Sequence, residues 1–325
     1  MNITERAENW VRNWLKYCDN KNIAPWEFDF KQCYLEDDIE DKSNLWLELA
    51  YKYTNLLSEK NTNFNVTKNT GANADCDKEA FYIYHVLGWQ KEINDSVRGD
   101  SMNSFATTFT PLLLVNKTPF SIENNKTWND DFSGVPNIYT ELKYWVKNDT
   151  VRNIEKFHFN TENLRRIKNG ITSTHLLNEI EQFAQSTHSI GNFTVMLSWM
   201  NQGRGSGNVK DYWDLTLKNL QDFLMQFEHG ERIWMEFIGK YYLFPFVDNN
   251  YTVSELWDNH FEKSVTPSSI ADFEQFYRNV NLLIEERGKW ITKILCEKLN
   301  LIDLHFYKNT LADVKKIRYF NEIIN

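Results

Sequence analysis

Residues 270–298 read IADFEQFYRNVNLLIEERGKWITKILCEK. Phe273, Phe276, Tyr277, Val280, Leu283 and Ile284, then Ile291, Ile294 and Leu295, recur at the three- and four-residue steps of an α-helix. One stripe over the whole stretch predicts a long helix with a buried face. Between Ile284 and Ile291 the stripe is broken by Arg287 and Gly288. An arginine on an apolar face is costly unless it is paired or hydrogen-bonded. A glycine inside a helix costs about 1 kcal/mol relative to alanine. Two adjacent penalties imply a constraint from elsewhere in the fold. Arg287 is therefore expected to reach a buried carboxylate, Asp100 or Asp214, or a bound anion.

The same periodicity recurs along the chain. Ala7, Trp10, Val11, Trp14, Leu15 and Cys18 form a stripe, with Thr4 as the expected N-cap. Residues 44–58 and 79–89 are apolar nearly all round and predict buried helices. Residues 211–227 and 231–243 predict two more, and 138–147 with 161–185 a helical hairpin. Residues 59–75 and 115–137 are polar or proline-bearing and read as loops. Trp26–Phe30, Thr108–Val115 and Phe193–Leu197 are the expected strands. The expected fold is mainly α, a multi-helix globular unit over 1–325, with a small β element near 193–197. No linker divides it, although 1–115 reads as an N-terminal subdomain.

Composition narrows the function class. The chain has 325 residues, 42% hydrophobic and 15% aromatic, which is incompatible with a disordered chain. Its formal net charge is −9, from 36 Lys/Arg and 45 Asp/Glu. Such a molecule repels nucleic acid as a whole, so nucleic acid contact would need a local basic groove. Residues 141–210, with nine Lys/Arg and six Asp/Glu, are the mildly basic stretch. Cys18, Cys33, Cys76 and Cys296 are scattered without zinc-site spacing and read as reduced thiols. The polar N-terminus and the lack of a long apolar run predict no membrane and a cytoplasmic location. The abundance of Asn, and of Lys over Arg, suggests an AT-rich, bacterial or phage genome.

The candidate site centres on 187–215, THSIGNFTVMLSWMNQGRGSGNVKDYWDL, which holds four of the twelve glycines. Glycine permits positive φ and close backbone approach, so this cluster marks a shaped loop. Within 201–208, NQGRGSGN, the backbone amides with Asn201 and Arg204 suit an anion such as phosphate. It is neither a Walker A loop nor a dinucleotide fingerprint. His188 follows the stripe Leu177, Ile180, Ala184. It reads as a general base, a metal ligand or a helix C-cap. Asp211 and Asp214, one turn apart, read as a divalent-ion pair or as dipole-favoured residues with Lys218 beside Asp214. The island RGDSMNSF, residues 98–105, adds Asp100 and Asn103, with Asp100 or Ser101 expected to cap a helix.

RGDSMNSF (98–105), THSIGNF (187–193), NQGRG (201–205), DYWDLTL (211–217) and LIEERGKWI (283–291) together resemble a family of bacterial proteins of unknown function. That resemblance spans residues 98 to 295 and implies no activity. The segment His188–Phe193 is similar to the H-x-L-G-N-L stretch of HNH-type nucleases. There, the asparagine orients a catalytic histidine on a metal-bearing element. No upstream Asp-His dyad accompanies it here, and His158 or His175 would have to serve. Arg152-Asn153 and His158 fit the R-N-x4-H pattern of HEPN-type ribonucleases, in which Arg and His act on an RNA phosphate.

The functional expectation is an enzyme acting on a phosphate-bearing substrate, a nucleic acid or a nucleotide, in a defence or toxin-like setting. His188 would move protons and Asn192 would orient it. Arg204, Arg287, Asn201, Asp100 and Asn103 would hold substrate. A divalent metal ion is the one cofactor these motifs suggest. The alternative is a non-catalytic helical interaction protein, in which arginine and glycines knit helices together.

Overall fold

The computed structural model describes residues 2–30, 59–60, 69–70, 77–89, 97–103, 108, 112, 173–197, 212–263 and 267–325. Eight α-helices run in chain order among the described residues. They are α1 (Ile3–Lys21), α2 (Asp77–Leu87), α3 (Thr174–Ser186), α4 (Trp213–Leu224), α5 (Gly230–Lys240), α6 (His260–Lys263), α7 (Ile270–Lys298) and α8 (Phe320–Ile324). Two small antiparallel sheets join them: β1 (Glu59–Lys60) with β2 (Asn69–Thr70), and β3 (Val97–Ser101) with β4 (Phe193–Leu197). The mainly α expectation holds, and the small β element lies where it was expected, but the stretch 59–75, read as a loop, contributes the β1–β2 pair.

α7 forms for the reasons its sequence carries. Ser269 caps the first turn by accepting from Asp272 N–H, and the Asp272 side chain accepts from Ser269 N–H in return. The 29-residue helix is about 43 Å long and buries the predicted stripe, Arg287 and Gly288 included, with Ile294 half-buried. α3, the 3-10 turn Ile190–Asn192 and the 3-10 turn Pro25–Glu27 all pack along it. α7 is thus the axis on which the N-terminal and central segments meet.

α1 buries Ala7, Trp10, Val11, Trp14, Leu15 and Cys18, the stripe read from the sequence. Its cap is Asn2 rather than Thr4. Asn2 Oδ1 accepts from Glu5 N–H and the Glu5 carboxylate accepts from Asn2 N–H, a reciprocal box that Thr4 cannot complete. Residues Trp26–Phe30 do not form a strand. Pro25 starts a 3-10 turn instead, and Phe30 N–H donates to the His188 carbonyl at 3.1 Å. This brings Phe28 and Phe30 against Trp14 in an aromatic cluster, with ring centroids 6.1 and 5.2 Å from that indole.

Asp100 and Ser101 do not cap a helix. Both belong to β3, where Asp100 pairs with Thr194 and Ser101 with Phe193 of β4. The expected helices at 44–58 and 138–147 and the loop at 115–137 lie outside the described residues; so does the expected strand 108–115 except for Thr108 and Leu112, which are helical rather than extended. No described helix is long and apolar enough to cross a membrane.

Candidate functional site

Four of the five spaced motifs converge. Arg287 comes from α7, Gly191 and Asn192 from the turn before β4, Asn103 from the end of β3, and Trp213 from the start of α4. They meet in one buried polar knot.

Arg287 has no solvent exposure and no carboxylate partner among the described residues. Its Nη1 donates to the carbonyls of Gly191 at 2.8 Å and Phe193 at 2.6 Å. Nε and Nη2 both donate to the Tyr241 carbonyl, at 3.2 and 2.9 Å. The guanidinium lies 5.2 Å from the Trp213 ring centroid and 5.7 Å from that of Trp89. Burial pulls its pKa down to about 9, which leaves it a cation at neutral pH. The expected ion pair with Asp214 is not formed, because Asp214 meets His260, and the contacts described for Arg287 are carbonyl dipoles and ring faces. A planar five-donor fork suits such a role, since it can join three separate segments.

Gly288 and Gly191 explain each other. A Cβ on Gly191 would sit 1.9 Å from the Ile284 carbonyl oxygen, and one on Gly288 would sit 2.9 Å from Trp26 Cβ. The two glycines let the Ile190–Asn192 turn and Trp26 press onto α7. The helix-interior glycine is thus a packing requirement.

Asn192 has all its hydrogen-bonding capacity in use. Nδ2 donates to the Thr187 carbonyl at 2.7 Å and the Asn103 carbonyl at 3.1 Å. Oδ1 accepts from Trp213 Nε1 at 2.8 Å, Asn103 N at 3.2 Å and Asn103 Nδ2 at 3.4 Å. Asn103 Oδ1 accepts from Trp213 N–H at 3.0 Å, which caps the start of α4. Trp213 in turn stacks on Phe246, centroids 4.2 Å apart. Asn192 and Asn103 therefore do not face a substrate. They tie the end of β3, the start of β4 and the start of α4 together. His188 lies past the end of α3, nearly fully buried, with its carbonyl on Phe30.

Arg204, Asn201, Asp211, Arg152 and His158 lie outside the described residues, and so does the Asp100 side chain. His175 sits on an exposed face of α3 beside Glu179. No cluster of three potential metal ligands occurs among the described residues.

One constellation was missed by the sequence reading. Asp214, on the buried side of α4, meets His260 at the start of α6: Oδ2 to Nδ1 is 2.5 Å, with both side chains buried. The expected surface pair with Lys218 is absent, because Lys218 bridges to Asp222. Asp214 Oδ1 accepts from Leu215 N–H and Oδ2 from Leu256 N–H, each at 2.9 Å. With donors on every side, Asp214 serves as an acceptor throughout. Nδ1 of His260 is therefore the donor to Oδ2. Nε2 is buried and has no hydrogen-bond partner among the described residues. The imidazole stacks on Trp257 at 3.4 Å with an interplanar angle of 26°, and the Tyr212 ring stands edge-on at 5.7 Å. The ring is thus held by a carboxylate and fixed in plane by an indole.

The signal for Asp214 was present in the sequence. It shares the apolar side of α4 with Trp213 and Leu217, an acidic counterpart of Arg287. The signal for His260 was not, since it follows Asp258 and Asn259 in a polar turn. No family model matches this chain, and no curated protein or solved structure matches it either.

Proposed function

We propose that this chain is an enzyme acting on a phosphate-bearing substrate, a nucleic acid or a nucleotide, with His260 as its proton-transfer group and Asp214 as the residue that orients it. The supporting observation is the Asp214–His260 pair itself: a buried imidazole held by a carboxylate, with an Nε2 that has no hydrogen-bond partner among the described residues. Buried polar atoms are nearly always satisfied, so each exception calls for an explanation, a catalytic role among them. Carboxylate-oriented histidine is the arrangement used for general base and acid catalysis.

In this reading Nε2 takes a proton from an attacking water or hydroxyl while its oxygen bonds to phosphorus. The phosphorus–oxygen bond to the leaving group breaks, and the proton passes from Nε2 to that leaving oxygen. Asp214 stabilises the transient imidazolium. Arg204 and Asn201, in the glycine-rich stretch that runs into Tyr212, are the groups proposed to hold phosphate, with or without a divalent metal ion. Asn192, Asn103 and Arg287 serve as supports for the stems of that stretch and not as substrate ligands. A nuclease in a bacterial defence or toxin-like setting is the narrower form of this proposal.

The test is to incubate the purified chain with RNA, DNA and nucleotides, with and without Mg2+ or Mn2+, beside His260→Gln and Arg204→Ala. Phosphate-ester cleavage that collapses in His260→Gln, in a protein that still folds, is the expected result. Full activity in that variant overturns the assignment.

A second reading has its own observation. Arg287 and Asn192 are consumed entirely by the scaffold, as a non-catalytic helical interaction protein would have them. That reading expects no turnover of any phosphate ester.

A further inference from the structure

Asn279 on α7 is buried, and its Nδ2 donates to the Leu256 carbonyl at 2.9 Å. Leu256 N–H donates to the Asp214 oxygen that meets His260. Leu256 is thus gripped on both sides of its α-carbon, by Asp214 through the N–H and by Asn279 through the carbonyl. Because a carbonyl is the acceptor there, the orientation of the Asn279 amide is unambiguous. Its Oδ1 has no partner among the described residues, so an amide is retained in the core although only half of it is satisfied.

The surrounding turn is held just as closely. One turn before Asn279, Gln275 exchanges two hydrogen bonds with Asp258, at 3.1 and 2.9 Å. The Glu255 carboxylate accepts from the N–H groups of Asn259 and Phe261, both at 2.9 Å. Two side chains of α7 at i and i+4 therefore hold the turn that carries His260.

We propose that Asn279 is a positioning residue for His260: it fixes the Leu256 backbone, which fixes Asp214, which fixes the ring tautomer. The inference rests on the reading of His260 as the proton-transfer group. It also narrows what meets Nε2. In the Nδ1–H tautomer Nε2 only accepts, so its partner is a proton donor, a water or a hydroxyl, and the phosphoryl oxygens are held elsewhere.

The experiment uses the full chain labelled with 15N-histidine, as wild type, Asn279→Leu and Asn279→Ser. The wild type is expected to show a single Nδ1–H tautomer for His260, with a strongly downfield ring proton. Both variants are expected to lose that proton signal and to show mixed tautomers. On whichever phosphate ester the wild type cleaves, kcat is expected to fall by roughly 100-fold at unchanged KM. A merely structural amide would lower the unfolding midpoint and leave the ring signals alone, and that result overturns the proposal. If neither variant folds, hydrogen exchange of the Asn279 side-chain amide in the wild type decides. Strong protection supports the clamp, and exchange at the rate of an exposed amide removes it. The ring signals need no substrate. Lack of any turnover therefore sinks the enzymatic reading separately from the clamp.

Discussion

The indole N–H of Trp213 donates to Oδ1 of Asn192 at 2.8 Å, joining residues that stand 21 apart and bracket the glycine-rich stretch. One amide thus ties the start of β4 to the start of α4. The behaviour of the knot around it follows from that bond and its neighbours.

Asn192→Asp keeps the size but removes both Nδ2 donations and sets a negative charge against the Thr187 and Asn103 carbonyls. The variant is expected to lose about 3 kcal/mol or more of stability. Urea unfolding followed by tryptophan fluorescence measures it, and a loss under about 1 kcal/mol would contradict the network.

Arg287→Lys retains the charge and loses the fork. A single ammonium cannot reach the Gly191, Phe193 and Tyr241 carbonyls together. A loss of about 2 kcal/mol is expected, and a larger one for Arg287→Met, which leaves all three carbonyls without their donor. Equal stability of Met and Arg at this position, in chemical denaturation, would show that the guanidinium is dispensable.

Gly191→Ala and Gly288→Ala should differ in severity. The first drives a methyl into a main-chain oxygen 1.9 Å away, and the second into the side chain of Trp26 at 2.9 Å. Gly191→Ala is expected to cost about 3 kcal/mol or more, and Gly288→Ala less. Thermal unfolding of the pair gives the order, and the reverse order would refute the close approach.

Asp272 supplies a pH-dependent contribution. Partial burial raises its carboxyl pKa, but hydrogen bonds from Ser268 and Ser269 outweigh this and hold it below the usual 3.8. A depressed carboxylate stabilises the fold above its unfolded pKa and loses that contribution as pH falls. The wild type should therefore lose stability between neutral pH and pH 3 more steeply than Asp272→Asn. Parallel acid-unfolding curves for the two would remove the capping role.

What was legible in the sequence was whatever periodicity or local chemistry encodes. The stripe of 270–298 predicted α7 to the residue, and the apolar, β-branched run 193–197 predicted β4. The strand 97–101 was not readable, because Arg98-Gly99-Asp100-Ser101 has little strand preference of its own and is drawn into a strand by pairing with β4. Pro25 turned the expected strand at 26–30 into a 3-10 turn. Arg287 was recognisable as an anomaly. Its partners were not, because main-chain carbonyls leave no mark in a sequence. His260 escaped for a related reason: its significance comes from Asp214, 46 residues earlier and on another helix.

The grip of α7 on the first helical segment bears on how the protein is made. Trp26 lies against Gly288, Arg12 Nη1 donates to the Leu299 carbonyl, and Asp19 Oδ1 accepts from His305 N–H at 2.7 Å. The last two contacts join residues 287 and 286 positions apart. Trp10 and Trp14 meet their ring partners Phe28 and Phe30 early, but Arg12, Asp19 and Trp26 leave the ribosome long before theirs. The seam between the first segment and the end of α7 therefore closes late, after residues 288–305 are made.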